Sequence, residues 1–223
     1  KEADVKALNI AQDKMKMTFD VSCQKYQKNF PVSLNLIGKH NILNALAAIS
    51  VSLELDISIK DIQKALSHFS GVSRRLDYHQ ELTINNQKIP LFDDYGHHPN
   101  EISEVFRTLR NTFPEKRLVV IFQPHRYSRT RDLFNEFVSS LSKVDALILL
   151  NIYSANEAPI NTISSSTLAD SIRRRSSIDP IVAKDIAEII EIIPNISLEN
   201  DVILTLGAGD VNKIPHQLKE HFC

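Results

Sequence analysis

The sequence predicts an α/β chain, with a doubly wound, mostly parallel sheet in its larger part, preceded by a small β-meander and two helices. Three features carry that expectation. The apolar runs at 118–122 and 146–150 are unbroken, as in strands covered on both faces, and 202–206 is apolar but for Thr205. The segments between them place apolar residues at helical spacing. Upstream of Asp77 the period is different, with single polar and apolar residues alternating over 14–21 and again over 31–37.

Residues 4–37 read as strands. The stretches 14–21 and 31–37 alternate, with turns expected at Gln12-Asp13 and over 24–28, which suggests an antiparallel meander with one solvated face. Gly38 ends that pattern. Ile42, Leu46, Ile49 and Leu53 then form one helical stripe, and Ser58 is the expected cap of a second helix over 59–69. Residues 70–73 read as a linker, and the domain boundary falls near Asp77, separating 1–76 from 77–223.

Beyond the boundary, 78–84 and 88–92 suggest a hairpin around Asn85-Asn86. Helix 99–113 has Pro99 in its first turn and the stripe Ile102, Val105, Phe106, Leu109, Phe113. The remaining elements alternate: strand 118–122, helix 131–142, strand 146–150, a helix from Ser164 through Arg175, a short strand 181–183, a helix marked by Ile186, Ile189, Ile190 and Ile193, strand 202–206, and helix 211–221.

Composition excludes several classes of function. A formal charge of −1 argues against a general nucleic-acid binder. No apolar run is long enough to cross a bilayer, so no membrane partner is expected. The two cysteines, Cys23 and Cys223, make neither a disulfide framework nor a metal cluster, and with no signal segment a cytoplasmic location is expected.

Ligands of such sheets bind beyond the carboxyl ends of the strands, and three polar clusters fall there. The first is Asp93-Asp94-Tyr95-Gly96-His97-His98, two carboxylates beside two imidazoles. It reads either as a capped strand-end turn or as a catalytic or cation-linked group. The second, 123–131, holds His125, Arg126, Arg129 and Arg131 ahead of the expected helix. Cations oppose the dipole at a helix amino terminus, so their presence there points to an anion among them. The third, Gly207-Ala208-Gly209, resembles a phosphate-approach turn, although tight strand–helix packing explains it equally well. Asn41 and Asn44 share one helix face, either as neutral surface residues or as amides for adenine or ribose edges. Arg74-Arg75 is either solvated charge or a nucleotide clamp. No residue is assigned as a metal ligand.

Several of these segments together resemble the Mur ligase family. Gly38-Lys39-His40-Asn41-Ile42-Leu43-Asn44-Ala45-Leu46-Ala47-Ala48 is similar to the family's central-domain helix motif, and 71–77 to its interdomain linker. The segments 93–99 and 123–131 resemble the alanine-adding branch. The murein tripeptide-adding branch differs at Tyr95-Gly96 and at 123–126. The resemblance implies a Rossmann-like carboxyl-terminal domain after a remnant of a central ATPase domain. It implies an ATP-dependent joining of a carboxylate to an amine in peptidoglycan precursor synthesis: ATP phosphorylates the carboxylate of UDP-N-acetylmuramate, and L-alanine attacks the acyl phosphate, with Mg²⁺ offsetting charge.

By the same resemblance, His40, Asn41 and Asn44 touch the adenine side of ATP, and Arg75, Asp94 and Tyr95 its ribose or phosphates. His98, His125, Arg126 and Arg129 face substrate carboxylates and form the catalytic group. No Gly-x-x-Gly-Lys-[Ser/Thr] phosphate loop occurs in the chain, and the family's Mg²⁺-binding Glu and His lie upstream of Lys1. The amino-terminal part of the polypeptide is therefore an expected partner, without which these residues are expected to be inactive. Asn156 stands where relatives carry Gly, a place where Asn can accept a left-handed backbone. Two other readings remain: a free-standing metal-dependent hydrolase using Asp93, Asp94, His97 and His98, and a non-catalytic nucleotide-binding module.

Overall fold

A computed structural model describes residues 3–223, which form two compact units dividing between Val72 and Ser73. The division lies just before Asp77 because Arg74 and Leu76 are already tied to the second unit. The Leu76 N–H donates to Asp94 Oδ2 at 2.7 Å, and the Arg74 carbonyl accepts from Tyr95 N at 2.8 Å.

In the first unit β1 (Val5–Asp13), β2 (Lys16–Cys23) and β3 (Lys28–Leu34) form an antiparallel sheet in that order. The first turn lies at 14–15 rather than at Gln12-Asp13, and the third strand starts earlier than expected. Register explains both shifts. With Met17 opposite Leu34 and Val21 opposite Phe30, the apolar residues of β2 and β3 share one face. That face packs on Ile42, Ala45, Ile49 and Leu53 of α1 (Lys39–Glu54). Ser58 caps α2 (Ile59–His68) as its position predicts, its hydroxyl accepting from Asp61 N at 3.2 Å. Leu43 and Val51, on the other side of α1, are exposed.

The second unit holds β4 (Asp77–Ile84), β5 (Gln87–Asp94), β6 (Arg117–Phe122), β7 (Ala146–Leu150), β8 (Ile181–Ala183) and β9 (Asp201–Leu206). The strand order is β4-β5-β9-β6-β7-β8, antiparallel between β4 and β5 and parallel elsewhere. The mostly parallel sheet thus matches the sequence expectation. Alternate residues of each central strand point to opposite faces. Val119, Ile121 and Ile203 join a core with residues of α7 (Ile186–Ile196) and α8 (Ile214–Phe222). On the other face Phe122 meets Phe137, their ring centroids 5.8 Å apart. There α5 (Phe134–Leu141) packs between α3 (Pro99–Thr112) and α6 (Ser165–Arg175).

Two expected helices are subdivided. The one placed at 131–142 starts earlier, as α4 (Tyr127–Asp132), and breaks at Leu133, whose ψ of 26° leaves the helical range before α5 begins. The one placed at 211–221 opens as a 3-10 turn over Asp210–Lys213, and Pro215, in the first turn of α8, starts the α-helix proper.

Phe122 is fully buried between β6 and α5. Replacing it by Ala is expected to cost about 3–5 kcal/mol of stability, read from the denaturant midpoint. A loss below ~1 kcal/mol would contradict this packing.

Candidate functional site

The three clusters meet at one rim of the second unit because β9 lies between β5 and β6. The ladder continues past the strand ends, with Gly207 N donating to Asp94 O at 3.1 Å and Gln123 N to Leu206 O at 3.0 Å. Gly207 has φ 137°, and a Cβ there would sit 2.7 Å from Gln123 O. A Cβ on Gly209 would lie 2.5 Å from Gln123 Oε1 and 2.8 Å from Tyr153. Close backbone approach therefore accounts for both glycines.

In the first cluster the carboxylates serve the framework. Asp93 accepts from Arg74 Nε at 2.8 Å and Thr205 Oγ1 at 2.7 Å. Asp94 accepts from Leu76 N and Gly96 N, each at 2.7 Å, and is buried. Burial raises its pKa while the two amides oppose the rise. His98 caps α3, its Nδ1 accepting from Asn100 N at 3.3 Å, and Glu101 Oε2 accepts from the backbone of His97 and His98. His97 rather than His98 turns toward the second cluster. Its ring stands edge-on to Tyr95 at 5.2 Å and 6.1 Å from His125. The guanidinium groups of Arg74 and Arg75 lie over the Tyr95 ring, at 5.2 and 5.9 Å.

The second cluster corrects the dipole argument. Arg129 and Arg131 occupy the last turn of α4, where the dipole favours cations, and exposed Arg131 pairs with Asp132. Arg126, ahead of the helix, has φ 72°. A non-glycine residue there carries strain of about 1–3 kcal/mol, and such strain persists only where the surroundings enforce it. Arg129 Nη1 donates to His125 Nδ1 at 3.3 Å and His125 O at 3.2 Å. A permanently protonated guanidinium leaves Nδ1 the acceptor, so the neutral ring carries its proton on Nε2.

A third segment, 151–157, completes the rim, and sequence reasoning gave it no functional residue. Tyr153 stacks on His125 at 5.2 Å, Tyr153 N donates to Pro124 O, and Arg126 N to Tyr153 O, both at 2.8 Å. Glu157 accepts from Ser128 N and Oγ. Asn156, at φ 67°, does take the left-handed backbone.

Tyr95, His97, His125 and Tyr153 thus form a continuous line of rings, with Arg126 and Arg129 beside it. Asp94 and His98 lie next to this line but are engaged by backbone amides. In the first unit, half-buried His40, Asn41 and exposed Asn44 open α1, and Asn41 Nδ2 donates to Ile37 O at 2.8 Å. Among the described residues no three His, Cys, Asp or Glu side chains are grouped to hold a metal ion, and no helix is long and apolar enough to cross a membrane.

The sequence profile described as "Mur ligase, glutamate ligase domain" matches residues 74–209. The chain belongs to the Mur ligase family. Among Mur ligases it is 61% identical over 220 residues to the UDP-N-acetylmuramate–L-alanine ligase of Vesicomyosocius okutanii, covering 99% of this chain and 47% of that protein. It is 58% identical to the enzyme of the same name from Ruthia magnifica, over 98% of this chain and 47% of that one. The crystal structure of the UDP-N-acetylmuramate–alanine ligase from Thermotoga maritima superposes with a TM-score of 0.80 at 25% identity, over 99% of this chain and 46% of that one. The chain spans about half the length of the Mur ligases it matches.

Burial, then the charges of Arg129, His97 and Arg126, hold the His125 pKa below the ordinary imidazole value of 6.5. The unfolded chain therefore takes up this proton at higher pH than the folded one. The stability His125 contributes is complete above about pH 6.5 and is lost as pH falls toward the folded-state value. In an NMR titration the His125 midpoint is expected below 6.5 and should move upward in Arg129→Ala. An unmoved midpoint would show that the Arg129–His125 contact is not formed.

Proposed function

We propose that this chain is the catalytic carboxyl-terminal portion of an ATP-dependent ligase that joins L-alanine to UDP-N-acetylmuramate in the cytoplasm. One observation carries the reading. At the strand-end rim two guanidinium groups, Arg126 and Arg129, flank a neutral imidazole, His125, on a backbone held in a strained conformation. Guanidinium groups grip carboxylates through paired hydrogen bonds, and both substrates of the named relatives carry a carboxylate.

In this reading Arg126 and Arg129 orient a substrate carboxylate, and His125 offers its Nε2–H as a neutral donor. His98 acts less directly, because its Nδ1 caps α3. On the nucleotide side, Arg75 and Tyr95 of the second unit face each other and Asp94 fixes the backbone beside both. In the first unit Asn44 is exposed at the start of α1, and Asn41 keeps Oδ1 available beyond its bond to Ile37. Within its own unit, each set has donors and acceptors of the kind that nucleotide edges and phosphates take, and ATP when bound supplies the phosphoryl group that activates the carboxylate. Mg²⁺ is required by that chemistry, and its ligands are assigned to the amino-terminal part of the polypeptide. A metal-dependent hydrolase does not fit, since Asp93, Asp94 and His98 are engaged by Arg74, Thr205 and backbone amides.

The test is L-alanine-dependent release of ADP from ATP and UDP-N-acetylmuramate by the full-length polypeptide. Arg126→Ala and Arg129→Ala are each expected to lower kcat/KM by about 10- to 100-fold, the loss of a charged hydrogen bond of ~1.5–3 kcal/mol, with little change in Tm. Residues 1–223 alone are expected to show no turnover. Robust ATP hydrolysis by them, or a full-length enzyme indifferent to L-alanine, would defeat the proposal.

A further inference from the structure

Glu157 turns inward against the arginine-bearing turn. Glu157 Oε2 accepts from Ser128 N at 2.9 Å and Oε1 from Ser128 Oγ at 2.6 Å. The same Oε1 stands 3.7 Å from Arg126 Nη1, an ion pair beyond hydrogen-bond range. The turn between them holds Arg126 in its left-handed backbone. Arg126 N donates to Tyr153 O, and the Arg126 carbonyl accepts from Thr130 N at 3.1 Å and Thr130 Oγ1 at 2.8 Å. Glu157 therefore closes a strap: the 153–157 segment grips the 124–128 turn at Pro124, Arg126 and Ser128, and the strained residue sits at its centre.

We infer that Glu157 is a positioning residue that aims Arg126 at a substrate carboxylate without touching the substrate. This rests on the ligase reading above and deepens it. The distances separate two roles. Had Glu157 gripped Arg126 through a bidentate bond, it would compete with any incoming carboxylate. At 3.7 Å it attracts the guanidinium while leaving the donors of this half-exposed side chain, 50% accessible, available to a ligand. Its own hydrogen bonds go to Ser128. The charges agree with a single anionic ligand. Arg126 and Arg129 are cations, Glu157 is an anion and His125 is neutral, so one positive charge is left over for one carboxylate. Ser128 matches a carboxylate at 157: the turn presents two donors there, an N–H and an O–H, and the two Glu157 oxygens accept one each.

The carboxylate recognised could be that of L-alanine or of the muramoyl group, and steady-state kinetics of the full-length enzyme distinguish them. Glu157→Ala is expected to raise KM by about tenfold or more for one of the two, the effect of losing a charge-assisted contact, with KM for ATP within about twofold of wild type. The substrate whose KM moves names the carboxylate. Glu157→Gln, which keeps an oxygen for Ser128, should recover part of the loss. Unchanged KM values for both carboxylate substrates would overturn the inference. So would a uniform loss across all three substrates together with a lowered Tm, the signature of a merely structural residue.

An arm independent of turnover separates this inference from the ligase reading. The Arg126 side-chain Nε–H signal is followed by NMR while sodium acetate is titrated against sodium chloride at equal ionic strength. Acetate should shift Arg126 in the wild type and not in Glu157→Ala. If the wild-type enzyme shows no alanine-dependent ADP release yet acetate gives this pattern, the ligase reading fails and the positioning role stands. Equal shifts in both proteins remove the positioning role whatever the kinetics show.

Discussion

The site depends on one topological constraint, the insertion of β9 between β5 and β6. The chain leaves β5 and returns in β6 one place away, and the gap is filled only by the last strand. The helices that follow β5 and β6 pack on one face of the sheet and those around β9 on the other. The carboxyl ends of these three strands therefore lie where the flanking helices part to opposite faces, the place at which ligands of such sheets bind. The second-unit residues Tyr95, His97, His125, Arg126 and Arg129 each follow one of those ends, and Tyr153 and Glu157 are bound to the loop after β6. The fit at the rim is tight. A Cβ on Gly207 would lie 2.7 Å from the Gln123 carbonyl oxygen, so β9 closes against β6 only with glycine there, and a Cβ on Gly209 would press on Tyr153 at 2.8 Å.

That closure is reinforced by buried polar bonds that reach across the strands. Thr205 on β9 donates to Asp93 on β5, Asp93 accepts from Arg74, and Arg74 Nη2 donates to Gly207 O. Asp94 works in parallel through Leu76 and Gly96. Arg74 and Leu76 both have positive φ, at 62° and 48°, so the chain enters the second unit through a backbone that its own sequence does not favour. The adjacent carboxylates enforce that path. Arg75 and Tyr95 lie next to the two amides that Asp94 holds, so their mutual placement is fixed by a residue buried beneath them. A carboxylate that reads as catalytic in one dimension can thus be the support for the groups around it.

The sequence revealed most of the fold. Unbroken apolar runs located β6 and β7, and a run broken only by Thr205 located β9, because strands buried on both faces have little polar side, and Ser58 and Pro99 marked helix starts through local chemistry. The failures have equally local causes. The break at Leu133 has no glycine or proline to signal it, and the register of β2 with β3 is a pairing choice that alternation alone does not encode. At the site, the three clusters were legible because polar residues beyond apolar strands are conspicuous. Which member of a cluster faces the ligand was not. His97 and His98 are neighbours with the same side chain, and only the start of α3 decides that His98 becomes its cap.

Glu157 and Tyr153 were invisible for another reason: their importance lies in what they touch, some thirty residues away in sequence. The segment did carry a signal in Asn156, whose left-handed backbone, with Ala155 beside it, marks a loop bent to a purpose. The bend turns Glu157 back onto Ser128. Arg126 lies in the same disfavoured half of backbone space, and the two strained segments are bonded to each other through Tyr153. Each is stable because the other is present. Two loops that enforce each other's strain form a stiffer platform than two relaxed loops in contact, since neither can relax without breaking the shared bonds. Stiffness is what carboxylate recognition by a long, flexible arginine requires: the geometry of a paired hydrogen bond is set before the ligand arrives, and less order remains to be imposed on binding.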